Sequence, residues 1–399
     1  MMAYAGRILI IVENLPVPFD SRVWQEANAL TEAGYKVSII SPKGKGYEAP
    51  YEFINNIAIY RHSLAVEGNG LFGYLREYAE ALFWELYLSI KVFFKEGFDV
   101  IHACNPPDDI FIIGAIWKLF GKKFVFDHHD INPELYIAKF NKKGLFYKLL
   151  LWLERMTFRT ANISLATNLS YKEIAINRGK MKEENVFVVR SGPDLTRIRE
   201  VPKKENLKEG KKYMVGYIGV MGQQEGLDYL IRSIKYIVSE RKRKDIIFVL
   251  VGGGPALQSL KEYAAQQGLN DYIKFTGRVS DEVLLEYLNT SDICVAPDLY
   301  NEMNDKSTMN KILEYMALGK PIVLFDLKEG RYSAQKAALY ARPNDEVDFA
   351  DKMLELIDDE DKRKIMGQYG KRRINDELKW DITKQELIKA YSYLFRNPT

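Results

Sequence analysis

The amino-acid sequence predicts an α/β protein made of two Rossmann-like domains, and three observations lead to that fold class. Short apolar runs alternate with amphipathic stretches, which is the pattern of parallel βαβ units. The pattern stops in the polar stretch 197–212, rich in Lys and Glu, and restarts at Tyr213. A chain of 399 residues also exceeds what one hydrophobic core organises. We expect an N-terminal domain over 1–196, a linker over 197–212, a C-terminal domain over 213–378 and a final helix over 379–399.

Composition excludes several function classes. The net charge of +3 gives no bulk attraction to nucleic acid. The two cysteines, Cys104 and Cys294, stand far apart in apolar contexts, which argues against a disulfide framework or a zinc site. Residues 1–7 lead straight into a short strand rather than a signal sequence, and no run of about 18 apolar residues follows. The sequence therefore predicts a cytoplasmic protein whose membrane contact, if it has one, is peripheral.

The first βαβ unit comprises a strand over 7–12, a helix over 21–33 and a strand over 36–40. Asp20 and Arg22 stand at its loop–helix junction, near the carboxyl end of the first strand, where ligands of open α/β sheets bind. Two interpretations are open: a helix cap with a surface arginine, or a ligand-binding pair. Further apolar runs predict strands over 57–62, 99–103, 123–126, 161–166, 186–190, 213–218, 246–251, 273–276, 293–296 and 322–325.

A second candidate site follows the strand 123–126, which runs into Asp127-His128-His129-Asp130. A carboxylate beside an imidazole can orient it or hold its charge. Two histidines flanked by aspartates at this edge of a sheet therefore favour a functional role over a structural one. Imidazole and carboxylate are also metal ligands, but no other cluster in the sequence completes a site, so no metal is predicted.

Two predicted helical stretches carry bulky apolar side chains that could contact either the core or a membrane. The segment 139–159 interleaves basic and large apolar residues and holds one acid, Glu154. This composition suits the surface of an anionic membrane, and it equally suits a helix with one buried and one solvated basic face. The aromatic stretch 71–95 predicts a helix packed on the core, with a lipid-contacting face as the second interpretation.

Glycine turns mark the second half of the chain. One turn covers 219–226 after the strand 213–218, and Gly-Gly-Gly-Pro at 252–255 joins another strand to a helix. Glycines at such places let a ligand approach the backbone, and the helix N-terminus that follows suits a phosphate.

The stretch 305–323 is the most informative one in the sequence. A polar segment leads into a short amphipathic helix that stops at Gly319 and is followed by a buried strand. We expect Ser307 or Thr308 to cap this helix and its free amides to form an anion site. Glu314 falls about two turns into the predicted helix.

Together these motifs resemble those of the family 4 (group 1) glycosyltransferases of polysaccharide assembly, over essentially the whole chain. The motifs are Glu-Tyr-Met-Ala-Leu-Gly-Lys-Pro-Ile-Val from Glu314, Gly-Gly-Gly-Pro at 252–255, Asp-Ile-Cys-Val-Ala-Pro at 292–297 and Pro-Phe-Asp-Ser-Arg-Val at 18–23. The resemblance implies a GT-B architecture, with two domains facing across a cleft and the C-terminal helix crossing back to the N-terminal domain. It further implies a nucleotide-sugar donor in the C-terminal domain, retention of anomeric configuration and no required metal.

The resemblance also implies roles for particular residues. Glu314 would accept hydrogen bonds from the donor ribose, since a carboxylate suits a diol. His129 would contact a sugar hydroxyl or the reacting centre, with Asp130 orienting it and His128 as the alternative. The predicted donor-binding residues are Gly219, Gly222, Gly253, Gly254, Arg278, Asp305, Lys306, Ser307, Thr308, Met309, Asn310, Lys311 and Glu314. Asp20 and Arg22 are the predicted acceptor-binding residues.

The sequence departs from the family pattern at three positions. The family has cations where this chain has Val220 and Glu225, and a glutamate where it has Lys306. We expect Lys306, with Lys311 or Arg278, to restore the charge that a departing diphosphate needs and so to act in catalysis.

The predicted function is retaining transfer of a sugar from a UDP- or GDP-linked donor, without a cofactor, to a glycan or polyprenyl-linked acceptor in cell-surface polysaccharide or glycolipid assembly. A nucleotide-sugar or glycan-binding protein with little or no turnover is the alternative that Val220 and Glu225 favour. An epimerase is a third hypothesis; a dehydrogenase lacks the Gly-x-Gly-x-x-Gly motif after the first strand.

Overall fold

The computed structural model describes residues 4–63 and 70–396, and for residues 70–75, 77 and 78 it describes the backbone alone. The predicted aromatic helix is present over Gly70–Lys95, and the side chains near its N-terminal end lie outside the described residues. Farther along, Leu88 and Val92 are buried whereas Phe83 and Phe94 are exposed, so one face packs on the core as expected. Within the described ranges, none of the helices has the length and apolar character needed to span a membrane.

The chain divides into two compact units. Met1–Ser191 and Thr383–Thr399 form the first, the N-terminal domain, and Gly192–Ile382 forms the second, the C-terminal domain. The polar stretch predicted as a linker belongs to the second unit, because its apolar side chains pack there; Ile198 is buried in that core. The boundary therefore falls at Ser191, a few residues before the predicted end of the N-terminal domain.

The N-terminal domain is built on an eight-stranded sheet, counted over the described residues. Its strands are β1 (Arg7–Ile11), β2 (Lys36–Pro42), β3 (Tyr51–Ile54), β4 (Ile57–His62), β5 (Val100–Cys104), β6 (Lys123–His128), β7 (Ile163–Ala166) and β8 (Val186–Val188). Their spatial order is β3-β4-β2-β1-β5-β6-β7-β8, parallel throughout except between β3 and β4. The order reverses between β1 and β5, and the loops after these strands form the edge where such sheets bind ligands.

Helices cover both faces of this sheet, as parallel crossover connections require. They are α1 (Ser21–Glu32), α2 (Gly70–Lys95), α3 (Phe111–Lys118), α4 (Asn132–Phe140), α5 (Leu145–Thr160) and α6 (Leu169–Asn177). Helix α1 begins where Asp20 Oδ1 accepts a hydrogen bond from the amide of Val23, 3.1 Å away. This contact is an ordinary N-cap, so the helix-cap interpretation of Asp20 holds.

The C-terminal domain has six parallel strands in the described part of the chain. They are β9 (Tyr213–Ile218), β10 (Ile246–Val251), β11 (Ile273–Gly277), β12 (Ile293–Ala296), β13 (Ile322–Phe325) and β14 (Ala338–Ala341). Their order is β11-β10-β9-β12-β13-β14, which is the 3-2-1-4-5-6 order of dinucleotide-binding Rossmann sheets. The order reverses between β9 and β12.

The helices of this domain sandwich the sheet between two apolar layers. They are α7 (Leu227–Ser239), α8 (Leu257–Gln266), α9 (Asp281–Thr290), α10 (Glu302–Lys306), α11 (Asn310–Ala317), α12 (Lys328–Ala334), α13 (Glu346–Asp358) and α14 (Glu360–Arg373).

The last helix, α15 (Trp380–Arg396), returns to the N-terminal domain from Thr383 onward. Tyr391 is fully buried there, and its hydroxyl lies 2.8 Å from Nδ1 of His102 on β5. Tyr35 packs its ring against both Tyr391 and Phe395. The prediction that the C-terminal helix packs back on the first domain is therefore confirmed.

Candidate active site

The carboxyl edge of the C-terminal sheet holds an open pocket of about 530 Å³, named the donor pocket after the predicted donor-binding residues that line it. It lies at the ends of β9 and β10, next to the reversal of strand order between β9 and β12, where ligands of open α/β sheets bind. The predicted donor-binding residues that line it are Gly219, Gly253, Arg278, Thr308, Met309, Asn310, Lys311 and Glu314. Segments far apart in the sequence thus meet at one edge.

Two glycine turns meet backbone to backbone beside this pocket. Gly252 has a φ of +135°, and a Cβ there would lie 2.0 Å from the carbonyl oxygen of Gly219. A side chain at Gly252 would therefore force the two turns apart. Gly222 and Gly254 are not among the described lining residues. A Cβ on Gly254 would meet the backbone of Met221, so this glycine permits the contact between the turns.

The N-terminus of α11 faces the same pocket without a side-chain cap. Met309 is the N-cap residue and makes no capping hydrogen bond through its side chain. The prediction that Ser307 or Thr308 caps this helix is wrong, because the chain at Met309 is extended and the hydroxyl of Ser307 donates to the carbonyl of Met303, 2.7 Å away. The amide of Ile312 donates to the carbonyl of Met309, 3.0 Å away, and the two amides before it, those of Asn310 and Lys311, are open to an anion.

Glu314 projects from the second turn of α11 and is mostly buried. Its Oε1 accepts a hydrogen bond from Nη2 of Arg197, whose Nη1 also lies 3.0 Å from Oδ1 of Asp281. Burial raises the pKa of the Glu314 carboxyl, and the Arg197 guanidinium opposes that effect. Arg197 stands in the stretch predicted as a linker, so the sequence offered no signal for its place in the pocket.

Lys311 lies in a buried cluster with two carboxylates. Its Nζ is 2.7 Å from Oδ1 of Asp298 and 2.8 Å from Oε2 of Glu225. Burial raises the pKa of Asp298 to about 6, although Lys311 opposes the shift. Glu225, which stands where the family has a cation, thus pairs with Lys311. The position-by-position comparison with the family could not reveal this contact.

Lys306, the predicted replacement cation, and Arg278, one of its two predicted helpers, take different positions. Arg278 lines the donor pocket, whereas the described lining does not include Lys306. Lys306 ends α10, with its Nζ 4.0 Å from a carboxylate oxygen of Glu302. Asp305 also lies outside the described lining, because its Oδ1 accepts a hydrogen bond from the amide of Lys328 at the start of α12.

A second polar centre lies at the carboxyl edge of the N-terminal sheet. His129 Nε2 is in hydrogen-bond contact with Oδ2 of Asp127 and 3.0 Å from Nε of Arg22. Burial alone would raise the pKa of Asp127, but Arg22 and His129 outweigh it and hold that pKa well below its usual range. About 15% of the His129 side chain remains exposed while Asp127 is fully buried, so the imidazole is the part of this pair that a ligand reaches.

Two predicted neighbours of His129 do not share its role. The prediction that Asp130 orients His129 is wrong, because the carboxylate in hydrogen-bond contact is Asp127. His128, the alternative, points to the opposite face of β6 and is buried against the rings of Phe126, Phe158 and Tyr171. Burial lowers the pKa of His128 to about 3, so it stays neutral and structural.

Arg22 is buried rather than a surface arginine. Its guanidinium pairs with Asp127 at 2.8 Å and with Glu26 at 2.9 Å. It also donates to the carbonyl of Val189 and to Oγ of Ser191, the last residue of the N-terminal domain before the boundary. The side chain thus ties the His129 centre to the end of its own domain.

The same cluster contains groups that the sequence did not bring together. His102, Cys104 and Asp127 offer potential metal-ligand atoms within 4.8 Å of one another, all buried. His102 already lies 2.8 Å from the hydroxyl of Tyr391, and Asp127 is paired with Arg22. These contacts describe a hydrogen-bonded charge network, one that α15 completes from the far end of the chain.

Comparison with known proteins covers both domains. The chain matches the family described as Glycosyl transferases group 1 over residues 212–359 and the one described as Glycosyltransferase Family 4 over residues 21–197. An uncharacterized glycosyltransferase of Methanocaldococcus jannaschii is 22% identical over 88% of both chains. The Escherichia coli UDP-Gal:alpha-D-GlcNAc-diphosphoundecaprenol alpha-1,3-galactosyltransferase is 26% identical over 59% of this chain and 60% of that protein.

Solved structures share the fold over almost the full length. Sucrose-phosphate synthase from Thermosynechococcus elongatus superposes with a TM-score of 0.78 at 18% identity, covering 98% of this chain and 99% of its own. Anabaena HepE, solved in complex with UDP and glucose, gives a TM-score of 0.71 at 15% identity, covering 97% and 100%.

Proposed function

Because the chain belongs to the group 1 (family 4) glycosyltransferases and has the GT-B fold, we propose that it transfers a sugar from a UDP- or GDP-linked donor to a lipid-linked glycan acceptor, with retention of configuration. The comparisons favour a transferase over a binding protein without turnover. The choice of acceptor rests on relatives whose names include a diphosphoundecaprenol-linked substrate and a phosphatidylinositol monomannoside.

One observation supports the donor assignment most strongly. The carboxylate of Glu314 and the uncapped N-terminus of α11 lie on the same pocket, less than two helical turns apart. A carboxylate accepts two hydrogen bonds from a ribose diol, and bare helix amides bind a phosphate. Their spacing along one helix matches a nucleoside diphosphate, whose ribose and phosphates are neighbours.

The charge of the leaving diphosphate needs cations, and three are among the residues described as lining the donor pocket. Arg197, Arg278 and Lys311 line it, although Lys311 is already neutralised by Asp298 and Glu225. Arg197 is likewise paired, with Glu314 and Asp281, and reaches the diphosphate once the donor ribose takes its place on Glu314. Arg278 is therefore the strongest candidate for the diphosphate in this arrangement. Lys306, at the end of α10, remains a proposed contributor to this charge.

The reaction breaks the bond between the anomeric carbon and the diphosphate oxygen and forms one from that carbon to the acceptor hydroxyl oxygen. The hydroxyl proton passes to the departing diphosphate, so no external base is required in a front-side attack. His129, oriented by Asp127, would hold a hydroxyl of the sugar or acceptor beside the reacting centre. Arg22 keeps both in place, and Asp20 is assigned to the acceptor side by its position before α1.

The acceptor and its location are also proposals. A polyprenyl-linked acceptor would bring the protein to the inner face of the membrane as a peripheral enzyme. The exposed lysines and arginines of 139–159 supply the attraction to anionic lipid that this placement needs.

Calorimetric titration with UDP, GDP, uridine and guanosine tests the donor site. One diphosphate should bind, and its nucleoside should bind more weakly, because only the diphosphate reaches the cations and the α11 amides. Arg278→Ala should remove most of the difference between diphosphate and nucleoside. Lys306→Ala, measured in parallel, tests whether Lys306 also binds the diphosphate. If this variant keeps the full affinity difference between diphosphate and nucleoside, Lys306 does not belong to the diphosphate site. Absence of binding by every nucleotide would contradict the assignment.

A further inference from the structure

The N-terminal domain contains an apolar pocket that has no part in the proposed reaction. It lies between α4 and α5 and has a volume of about 140 Å³. Its walls are mainly hydrophobic, and six of the lining residues are Leu135, Tyr136, Phe140, Phe146, Leu150 and Leu153. A cavity of about 150 Å³ holds a benzene-sized group, so this one accommodates a unit of about five carbon atoms.

The floor of this pocket connects to the His129 centre through one buried side chain. Asp108 lines the pocket, and its Oδ1 accepts a hydrogen bond from Nδ2 of Asn105, 2.8 Å away. Oδ1 of the same Asn105 accepts from the amide of His129 at 2.7 Å. Nδ2 of this buried Asn105 also donates to the carbonyl of Asp130, so one side chain fixes the pocket wall at Asp108 relative to the loop that carries His129.

The outer face around the pocket combines cations with exposed apolar side chains. The one acid in 139–159, Glu154, is turned inward and pairs with Arg178 at 2.6 Å. The charges that this segment presents to solvent are consequently all positive: Lys139, Lys142, Lys143, Lys148, Arg155 and Arg159. Among them stand the exposed apolar residues Phe140, Leu145, Leu149 and Trp152. Lys139 lies on the pocket wall itself.

We propose that the α4–α5 pocket binds the head-proximal hydrocarbon of an isoprenoid phosphate-linked acceptor, with Lys139 pairing with its phosphate. This proposal rests on the proposed function and adds to it the place of the acceptor lipid. The volume matches one isoprene-sized unit, the wall is mainly apolar, Lys139 lies on that wall, and Asn105 joins Asp108 of the wall to the amide of His129. Carbon atoms farther along the chain would lie on the exposed apolar side chains beside the lysines.

Farnesyl phosphate is a suitable probe, with farnesol and inorganic phosphate as its two halves. Wild-type protein is held in saturating UDP, or in GDP if the titration above selects it, so that the donor pocket is filled. It should bind farnesyl phosphate at least about tenfold more tightly than inorganic phosphate, since burial of a few methylene groups is worth more than 1.4 kcal/mol, and more tightly than farnesol, since only the phosphate pairs with Lys139. Equal affinity for farnesyl phosphate and inorganic phosphate overturns the proposal.

Variants separate the pocket from the surface around it. Phe140→Ser, at a half-exposed wall position, and Phe146→Ser, deeper in the pocket, should each weaken farnesyl phosphate binding about tenfold. Ile365→Ser, at an exposed apolar position on α14, is the matched control and should change nothing. Lys139→Ala should lower the affinity for farnesyl phosphate but not for farnesol. Leu145→Ser, outside the pocket, should weaken farnesyl phosphate binding less than Phe146→Ser does. Equal losses of affinity would mean that the hydrocarbon lies on the outer surface, which would refute the pocket.

UDP affinity, measured separately on each variant, distinguishes failure of the lipid-pocket proposal from failure of the donor-site proposal. Intact UDP binding with no farnesyl phosphate binding refutes the lipid pocket and leaves the transferase assignment standing. Farnesyl phosphate binding without any nucleotide binding refutes the donor assignment and leaves the lipid pocket. Because UDP reports only on the C-terminal domain, a thermal unfolding profile with the same N-terminal-domain transition as the wild type is the measurement that shows Phe146→Ser to be folded.

Discussion

Arg197 donates a hydrogen bond to Glu314, and both side chains line the donor pocket. The arginine belongs to the segment just after the domain boundary at Ser191, and its other nitrogen reaches Asp281 on α9. The carboxylate assigned to the donor ribose is therefore paired with a cation before any donor binds. A nucleotide must exchange that contact for its own, and the released guanidinium then becomes available to the diphosphate.

Glu314→Gln should weaken nucleoside diphosphate binding by about 1.5–3 kcal/mol, or roughly tenfold to a hundredfold, because hydrogen bonds to a charged acceptor are lost. Titration calorimetry measures the change directly. Glu282→Gln, an exposed glutamate on α9, is the control and should bind as the wild type does. An affinity that does not fall in Glu314→Gln would remove this residue from the ribose site.

Lys311→Met should lower the free energy of unfolding of the C-terminal domain by about 3–5 kcal/mol, because it leaves Asp298 and Glu225 buried and uncompensated. Urea denaturation is the measurement. Adding Asp298→Asn to Lys311→Met should recover part of the loss, since one buried charge is then gone. If Lys311→Met alone is as stable as the wild type, the charged cluster is solvated and does not stabilise the domain.

His129→Ala should reduce sugar transfer by about a hundredfold or more while nucleotide affinity stays the same, because His129 belongs to the other domain. Asp127→Asn should act in the same direction, since it removes the carboxylate that holds the imidazole. Asp130→Asn should retain most of the activity. The reverse ranking, with Asp130→Asn inactive and Asp127→Asn active, would restore the interpretation from sequence that the structure corrects.

His128 predicts a pH dependence of stability. Its pKa is lowered by burial to about 3 in the folded chain, against about 6.5 for the unfolded one, so the unfolded chain binds the extra proton between these values. The free energy of unfolding therefore falls as the pH drops below about 6.5, and the His128 contribution to this fall is about 2 kcal/mol between pH 7 and pH 5. His128→Phe should reduce the measured loss over this interval by that amount, and an identical loss in both proteins would contradict the buried neutral state.

The sequence predicted the secondary structure well where apolar runs were long and bounded by glycine or proline. The predicted strands 213–218, 246–251 and 322–325 coincide with β9, β10 and β13. Strand β3 was missed because its side chains alternate between exposed and half-buried at the sheet edge. Strand β14 was missed because Ala338 and Ala341 are too small to give a clear apolar run.

The candidate site was predictable only in part, for a physical reason. Residue types along one segment predicted the helix α11 and an anion site at its N-terminus, although the predicted cap at Ser307 or Thr308 is wrong, and the role of Glu314 came from the resemblance to the family. Contacts between distant segments could not be predicted, because no local pattern records that Arg197 reaches Glu314 or that Glu225 pairs with Lys311. The same limit hid the partner of His129: Asp127 and Asp130 flank the histidines almost symmetrically, and only the geometry distinguishes them.

Sugar transfer itself tests the central claim most directly. The purified protein would be incubated with a panel of UDP- and GDP-sugars and a membrane lipid extract, and nucleoside diphosphate release and the anomeric configuration of the glycolipid product would be recorded. The account predicts that one donor is consumed in an extract-dependent way, that the product keeps the donor's configuration, and that Glu314→Gln and His129→Ala both lose the activity. A nucleotide that binds tightly while no donor is consumed with any extract, or a product of inverted configuration, would contradict it.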